Sequence, residues 1–251
     1  MKRLKFSYIA GENMRQIHVV IAPGSELWWA MNLGFIISGV ILFWMAGLNK
    51  LRDKRLFIGK ALAILLITDV FIHHLYFLSL GDWHLKTNLP LHLCAMSEIL
   101  SVFLLFSGSQ LLYEMLIFWS AGAIHAFITP EMTHGYGVYE TVSYCISHGG
   151  VILLAFYCTW ALNFTPRRLS WLKVFFITQL TLPVIGFINY STGGNYMYLS
   201  ERPGANNPFI IGPWPWYIIS LEFVVLLHFY LFYRMHLWLS VKKNIRQAIV
   251  E

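Results

Sequence analysis

The chain has 251 residues, 57% of them hydrophobic and 17% aromatic but only 12% charged, with a formal charge of +6 at neutral pH. So few charged residues cannot cover a water-soluble surface, and the composition is that of a membrane protein. In such a chain the basic residues are first topology markers, so the positive balance is no argument for nucleic-acid binding.

The first 24 residues, MKRLKFSYIAGENMRQIHVVIAPG, are basic but lack a long apolar core followed by a small-residue cleavage site. They are expected to form an interfacial tail, not a signal peptide. A span takes about 20 predominantly apolar residues. Seven stretches qualify, at 25–48, 56–80, 89–107, 110–129, 141–164, 170–190 and 213–236. They predict one all-α polytopic domain over 25–236, followed by a basic C-terminal tail at 237–251. Under seven spans, 12 Lys and Arg residues fall on one side and 6 on the other, which favours an outside N-terminus and a cytoplasmic C-terminus. The 3 cysteines each lie inside a span and cannot all pair, so no disulfide framework is expected. The longest connection, 191–212, is dense in Gly, Asn and Pro, as a shaped loop would be. Its Tyr196, Met197, Tyr198 and Phe209 give it apolar surface with which to cover a site.

Polar groups inside spans are costly and usually face the bundle interior. Here they fall on matching faces. Cys94, Ser97, Glu98 and Ser101 recur at helical spacing in the third span, and Thr141, Tyr144, Cys145 and His148 do so in the fifth. In the fifth span the adjacent Gly149 and Gly150 would let another helix approach closely. Asp69, His73 and Tyr76 share a face of the second span, with His74 on a neighbouring face. His125 lies near the end of the fourth span, and Glu222 and His228 lie deeper in the seventh. The third and fifth spans enter from the same side of the membrane. Cys94, about five residues from its helix start, and His148, about seven, therefore reach similar depth, roughly 8–10 Å at 1.5 Å per residue. Asp69, His73, His74 and His125 join that layer.

A thiol beside an imidazole suits nucleophilic catalysis, because a histidine base generates the reactive thiolate at neutral pH. The plainer readings are a small buried apolar residue for Cys94 and a hydrogen-bonded packing residue for His148. Metal ligation is weakly supported. Only Asp69 with His73 has the i, i+4 spacing of a ligand pair, and no metal or organic cofactor is expected.

Four segments carry a resemblance: LPLHLC at 89–94, SHGG at 147–150, INYSTGGNYMYLSERP at 188–203 and GPWPWYIISLE at 212–222. From about residue 87 onward the chain resembles the YwaF-like integral membrane family of bacteria. That family is similar to an animal transmembrane protein described as a cysteine- and histidine-dependent phospholipid acyltransferase. The resemblance implies a bacterial cell membrane, a phospholipid substrate and acyl transfer through a cysteine thioester. Cys94 would be the nucleophile and His148 the base. His92, Glu98, Asp69, His73 and His125 would support the site or bind substrate, and an oxyanion donor is expected among Asn195, Tyr196 and His92. Two alternatives stand beside this reading. One is a transporter or channel using Asp69, His73, Glu98 and His148 as an intramembrane path. The other is a metal-binding or non-catalytic lipid-binding protein.

Overall fold

A computed structural model describes residues 19–133, 135, 137–204 and 208–250, with the side chains of 243–250 excepted. Its helices are α1 (Glu26–Gly47), α2 (Arg55–Ser79), α3 (Leu93–Ser107), α4 (Gln110–Ile128), α5 (Val138–Trp160), α6 (Ser170–Thr192) and α7 (Trp216–Val250). Six of them are long and apolar enough to cross a membrane, and the chain is an all-α polytopic membrane protein. Large apolar side chains such as Phe57, Phe71, Leu180 and Phe187 cover its outer surface, where in water they would be a liability but against lipid tails they are at home.

Local chemistry sets the helix ends. The Ser25 hydroxyl accepts from the Trp28 amide to begin α1. Between α3 and α4 the turn needs only two residues. Gly108 takes a left-handed φ of 68° to close α3, and the Ser109 hydroxyl caps α4. The paired glycines of α5 admit neighbours on two sides. A Cβ at Gly150 would collide with Leu66 of α2, and one at Gly149 would lie 3.1 Å from Phe35 of α1 and 3.2 Å from Phe127 of α4. α4 and α5 are accordingly the centre of the bundle.

Three boundaries differ from the sequence expectation. The C-terminal residues 237–250, expected as a separate tail, are helical and continue α7. Of the expected N-terminal tail, residues 1–18 lie outside the described residues. Val19–Val20 (β1) pairs antiparallel with Glu131–Met132 (β2), and Ile21 is buried beside them. The third span is shortened most. Pro90 disfavours helix at the residue before it, and α3 starts only at Leu93, leaving 15 residues of helix. At 1.5 Å per residue that is about 22 Å, short of the roughly 30 Å hydrocarbon core. Cys94 is therefore the second residue of its helix, not one well inside it.

The non-helical stretch before α3 needs hydrogen-bond partners, since unpaired backbone is not tolerated at membrane depth. Tyr196 supplies them: its hydroxyl donates to Leu85 O at 2.7 Å and accepts from Leu89 N at 2.9 Å. Asn189 in turn holds Tyr196 by a reciprocal pair of backbone bonds, at 2.8 and 2.9 Å. The connection after α6 is thus stitched onto the segment that introduces Cys94.

Candidate functional site

The helix ends meet around one cavity of about 540 Å³, walled by all helices except α1 and by Met197, Tyr198, Leu199, Pro203, Phe209 and Ile210 of the connection between α6 and α7. Cys94 and Glu98 of α3 line it, as do Asp69 and His73 of α2, His125 of α4, Ser147 and His148 of α5, and Glu222 and His228 of α7. His92 lines it from the position that caps α3, although its side chain does not close the first-turn amides. The first N–H groups of a helix have no intrahelical acceptor, so those around Cys94 remain available as donors.

His148 has a defined tautomer. Its Nδ1 lies 2.9 Å from Tyr144 O, and a carbonyl only accepts, so Nδ1 carries the proton and Nε2 is the basic atom. Tyr144 also stacks on the imidazole, with ring centroids 4.1 Å apart, and its hydroxyl is anchored on Ala126 O of α4 at 3.0 Å. The imidazole is therefore held from two helices.

Glu98 is buried, at 2% exposure, and accepts from the hydroxyl of Ser147, the residue before His148. It ties the helix carrying the thiol to the helix carrying the imidazole. Its Oε2 meets no donor among the described residues. Asp69 makes the parallel tie between α2 and α5, accepting from Ser143 at 2.9 Å. His73 packs on Phe77, with ring centroids 4.8 Å apart. Ser97 and Ser101 share the face of Glu98 but turn back to their own helix, donating to Leu93 O and Glu98 O.

His125 and His228 form a pair across α4 and α7, Nε2 to Nε2 at 3.1 Å. His228 Nδ1 donates to Val224 O at 2.7 Å, so its Nε2 must accept, and His125 Nε2 is the donor. Phe209 stands edge-on to both rings. Among the described residues no three His, Cys, Asp or Glu side chains converge as a metal would require.

The wall stops at one level. Beyond Asp69, Glu98, Phe118 and His148, the next turns of α2 to α5 present Leu66, Leu104, Leu116, Ile117, Val151 and Leu154, all 1% exposed or less. Below this apolar floor, Glu114 accepts from Arg167 and Gln110, and Thr159 bonds Tyr113 and His236, two polar clusters with no access to the cavity.

A family model for the TMEM164 family matches residues 22–233. The chain belongs to the TMEM164 family. No curated protein and no solved structure matches it. The matched region takes in the whole cavity wall of this TMEM164-family chain and ends within α7.

Two residues expected near the chemistry are occupied elsewhere. The Asn195 amide donates to Glu201 O and accepts from the Ser200 and Glu201 amides, shaping its own loop. Tyr196 spends its hydroxyl on Leu85 and Leu89. Neither reaches the cavity wall. The neighbouring Tyr198 does, and its hydroxyl makes no hydrogen bond to the described residues. Burial, followed by the Glu131 carboxylate and Cys94, pushes its phenol upward, so it remains an O–H donor at neutral pH. Met197 and Tyr198 hold left-handed φ values of 56° and 54°, which cost energy for side chains of this size and persist where surrounding contacts enforce them. Those contacts include Met197 N–H donating to His92 and the Tyr217 hydroxyl donating to Tyr198 O at 2.5 Å. The sequence offered Tyr198 only as apolar cover; the loop's turn at NYM is what aims it inward. Cys145 is partly buried against the core off the cavity wall, and Cys158 is fully buried.

Proposed function

We propose that this TMEM164-family chain is a lipid acyltransferase or lipid hydrolase in which Cys94 is the nucleophile and His148 the base. The observation that carries the reading is that a thiol and a tautomer-fixed imidazole, from two neighbouring helices, line one cavity within the bundle. The motif resemblance to the YwaF-like family supports the same pairing.

In the acylation step the Cys94 thiol proton passes to His148 Nε2, and the thiolate attacks the ester carbonyl carbon of a phospholipid. The C–S bond forms as the carbonyl π pair moves onto oxygen. The tetrahedral intermediate collapses, the C–O bond breaks, and the lysolipid alkoxide takes the proton from His148. In the second step an acceptor hydroxyl, or water, gives its proton to His148 and attacks the thioester, and Cys94 leaves as thiolate to be reprotonated. The His125 and His228 rings satisfy each other, and Glu98 and Asp69 brace α5, so these four position the site and do not react.

Tyr198 is the best-placed side chain to donate to the oxygen that becomes negative. Tyr198→Phe is expected to lower kcat about 10²–10³-fold with KM little changed, the cost of one lost oxyanion donor. Alkylation of Cys94 by iodoacetamide, which develops no oxyanion, should proceed at the wild-type rate. Equal slowing of both reactions would make Tyr198 merely structural.

Against a transporter stands the apolar floor, which interrupts any polar path before Glu114. The acyl-enzyme itself is the test. Purified protein incubated with acyl-labelled phospholipid should acquire a hydroxylamine-sensitive adduct on Cys94. No adduct, or one located on Cys145, refutes the assignment.

A further inference from the structure

The cavity has two chemically different halves. Polar side chains crowd the part between α2, α3 and α5, whereas the part between α4, α6 and α7 is walled by Phe118, Trp119, Leu182, Leu221, Val225 and Phe229. Most of the few polar groups on that second side are matched internally. Trp119 Nε1 donates to Thr178 Oγ1 at 2.9 Å, which itself donates to Val174 O. Gln179 donates to Glu222 at 2.6 Å, and His125 pairs with His228. Apart from the second carboxylate oxygen of Glu222, the wall asks for no hydrogen bonds from a ligand, and an apolar chain could lie along the rest of it with little desolvation cost.

One position in this wall stands out. α4 is contacted by α1, α3, α5, α6 and α7, and Ala121 and Ala123 are 1% and 0% exposed. Between them Gly122 is exposed, and the surface it exposes lines the cavity. A Cβ built on Gly122 meets no atom within 4 Å. The glycine is not needed for helix contact, as Gly149 and Gly150 are, nor for a positive φ. What its missing side chain provides is room.

We propose that the half of the cavity between α4, α6 and α7 is a chamber for an unbranched fatty acyl chain and that Gly122 sets how long a chain it accepts. This rests on the acyl-transfer reading of Cys94. A larger side chain at 122 fills the chamber and displaces the methylenes that would lie there. Each methylene buried is worth about fourfold in binding, so excluding two or three costs the longest chains on the order of tenfold or more.

The test compares wild type, Gly122→Leu and Gly122→Phe on phospholipids with saturated chains of graded length. Gly186→Leu serves as control, since Gly186 is also open but lies on α6 away from the cavity. Leu in place of Gly in an unobstructed helical site favours folding. Expected is a fall in Cys94 acylation by long chains with short chains retained, larger for Phe than for Leu and absent in Gly186→Leu. A second readout, binding of free fatty acids of the same lengths to each protein, should shift in parallel. If wild type is acylated and the Gly122 variants keep its length profile, the chamber is refuted and the acyl-transfer reading survives. If wild type forms no adduct, that reading falls, and fatty-acid binding unchanged by Gly122→Leu then removes the chamber as well.

Discussion

Cys94→Ala and His148→Ala are each expected to lower acyl transfer by about 10⁴-fold or more, with the double variant no worse than either single one. A nucleophile and its base act as a unit, so losing one forfeits most of what the pair contributes. Neither substitution need disturb the fold. Cys94 is half-buried at a helix start, and His148 hydrogen-bonds only its own helix, so the thermal midpoints of both variants should stay close to wild type. Cys145→Ala and Cys158→Ala, which change thiols off the cavity wall, should leave transfer largely intact. Activity assayed in lipid nanodiscs with all five proteins decides the matter. Additive losses in the double variant, or full activity in Cys94→Ala, would dissolve the pair.

The largest effect on stability is expected at the other end of the bundle. The fully buried Glu114 carboxylate accepts from Arg167 Nε at 2.9 Å, Nη2 at 2.7 Å and the backbone amide at 2.9 Å, clamping the α5–α6 connection onto α4. Arg167→Met leaves the carboxylate without its counter-charge; because the arginine side chain is half-exposed and the Gln110 and backbone donors remain, the loss is about 1–3 kcal/mol. Glu114→Gln combined with Arg167→Met removes both charges while the glutamine oxygen still accepts from the amide, and it should recover more than half of that loss. Unfolding in mixed micelles, compared across the two single variants and the double, measures the coupling. Equal stability of Arg167→Met and wild type would show the clamp to be dispensable. Because the apolar floor separates this clamp from the cavity, the surviving folded protein should acylate Cys94 at the normal rate.

Hydropathy and helical spacing determined much of this protein. Composition excluded a soluble fold, apolar runs placed α1, α2, α4, α5 and α6 to within a few residues, and the spacing of Glu98, His148 and Asp69 put them on inward faces. Those features are legible because they depend on local period and on the cost of polar groups in lipid. Tertiary structure decided the rest. Pro90 could interrupt a helix or merely bend it; the Tyr196 hydroxyl, reaching back across more than 100 residues to Leu85 and Leu89, makes the interruption affordable and puts Cys94 at a helix start. In the sequence Asn195 and Tyr196 stand as candidate donors and Tyr198 only as apolar cover. Only the fold shows the first two consumed by backbone and the third turned to the cavity through left-handed geometry. The pairing of His125 with His228 joins residues 103 apart in sequence, beyond any periodic signal. Gly122 reads in sequence as an ordinary small residue of a transmembrane helix. It becomes a vacancy in a wall only when five other helices have closed around α4, because empty space belongs to no residue and is created by the packing of all of them.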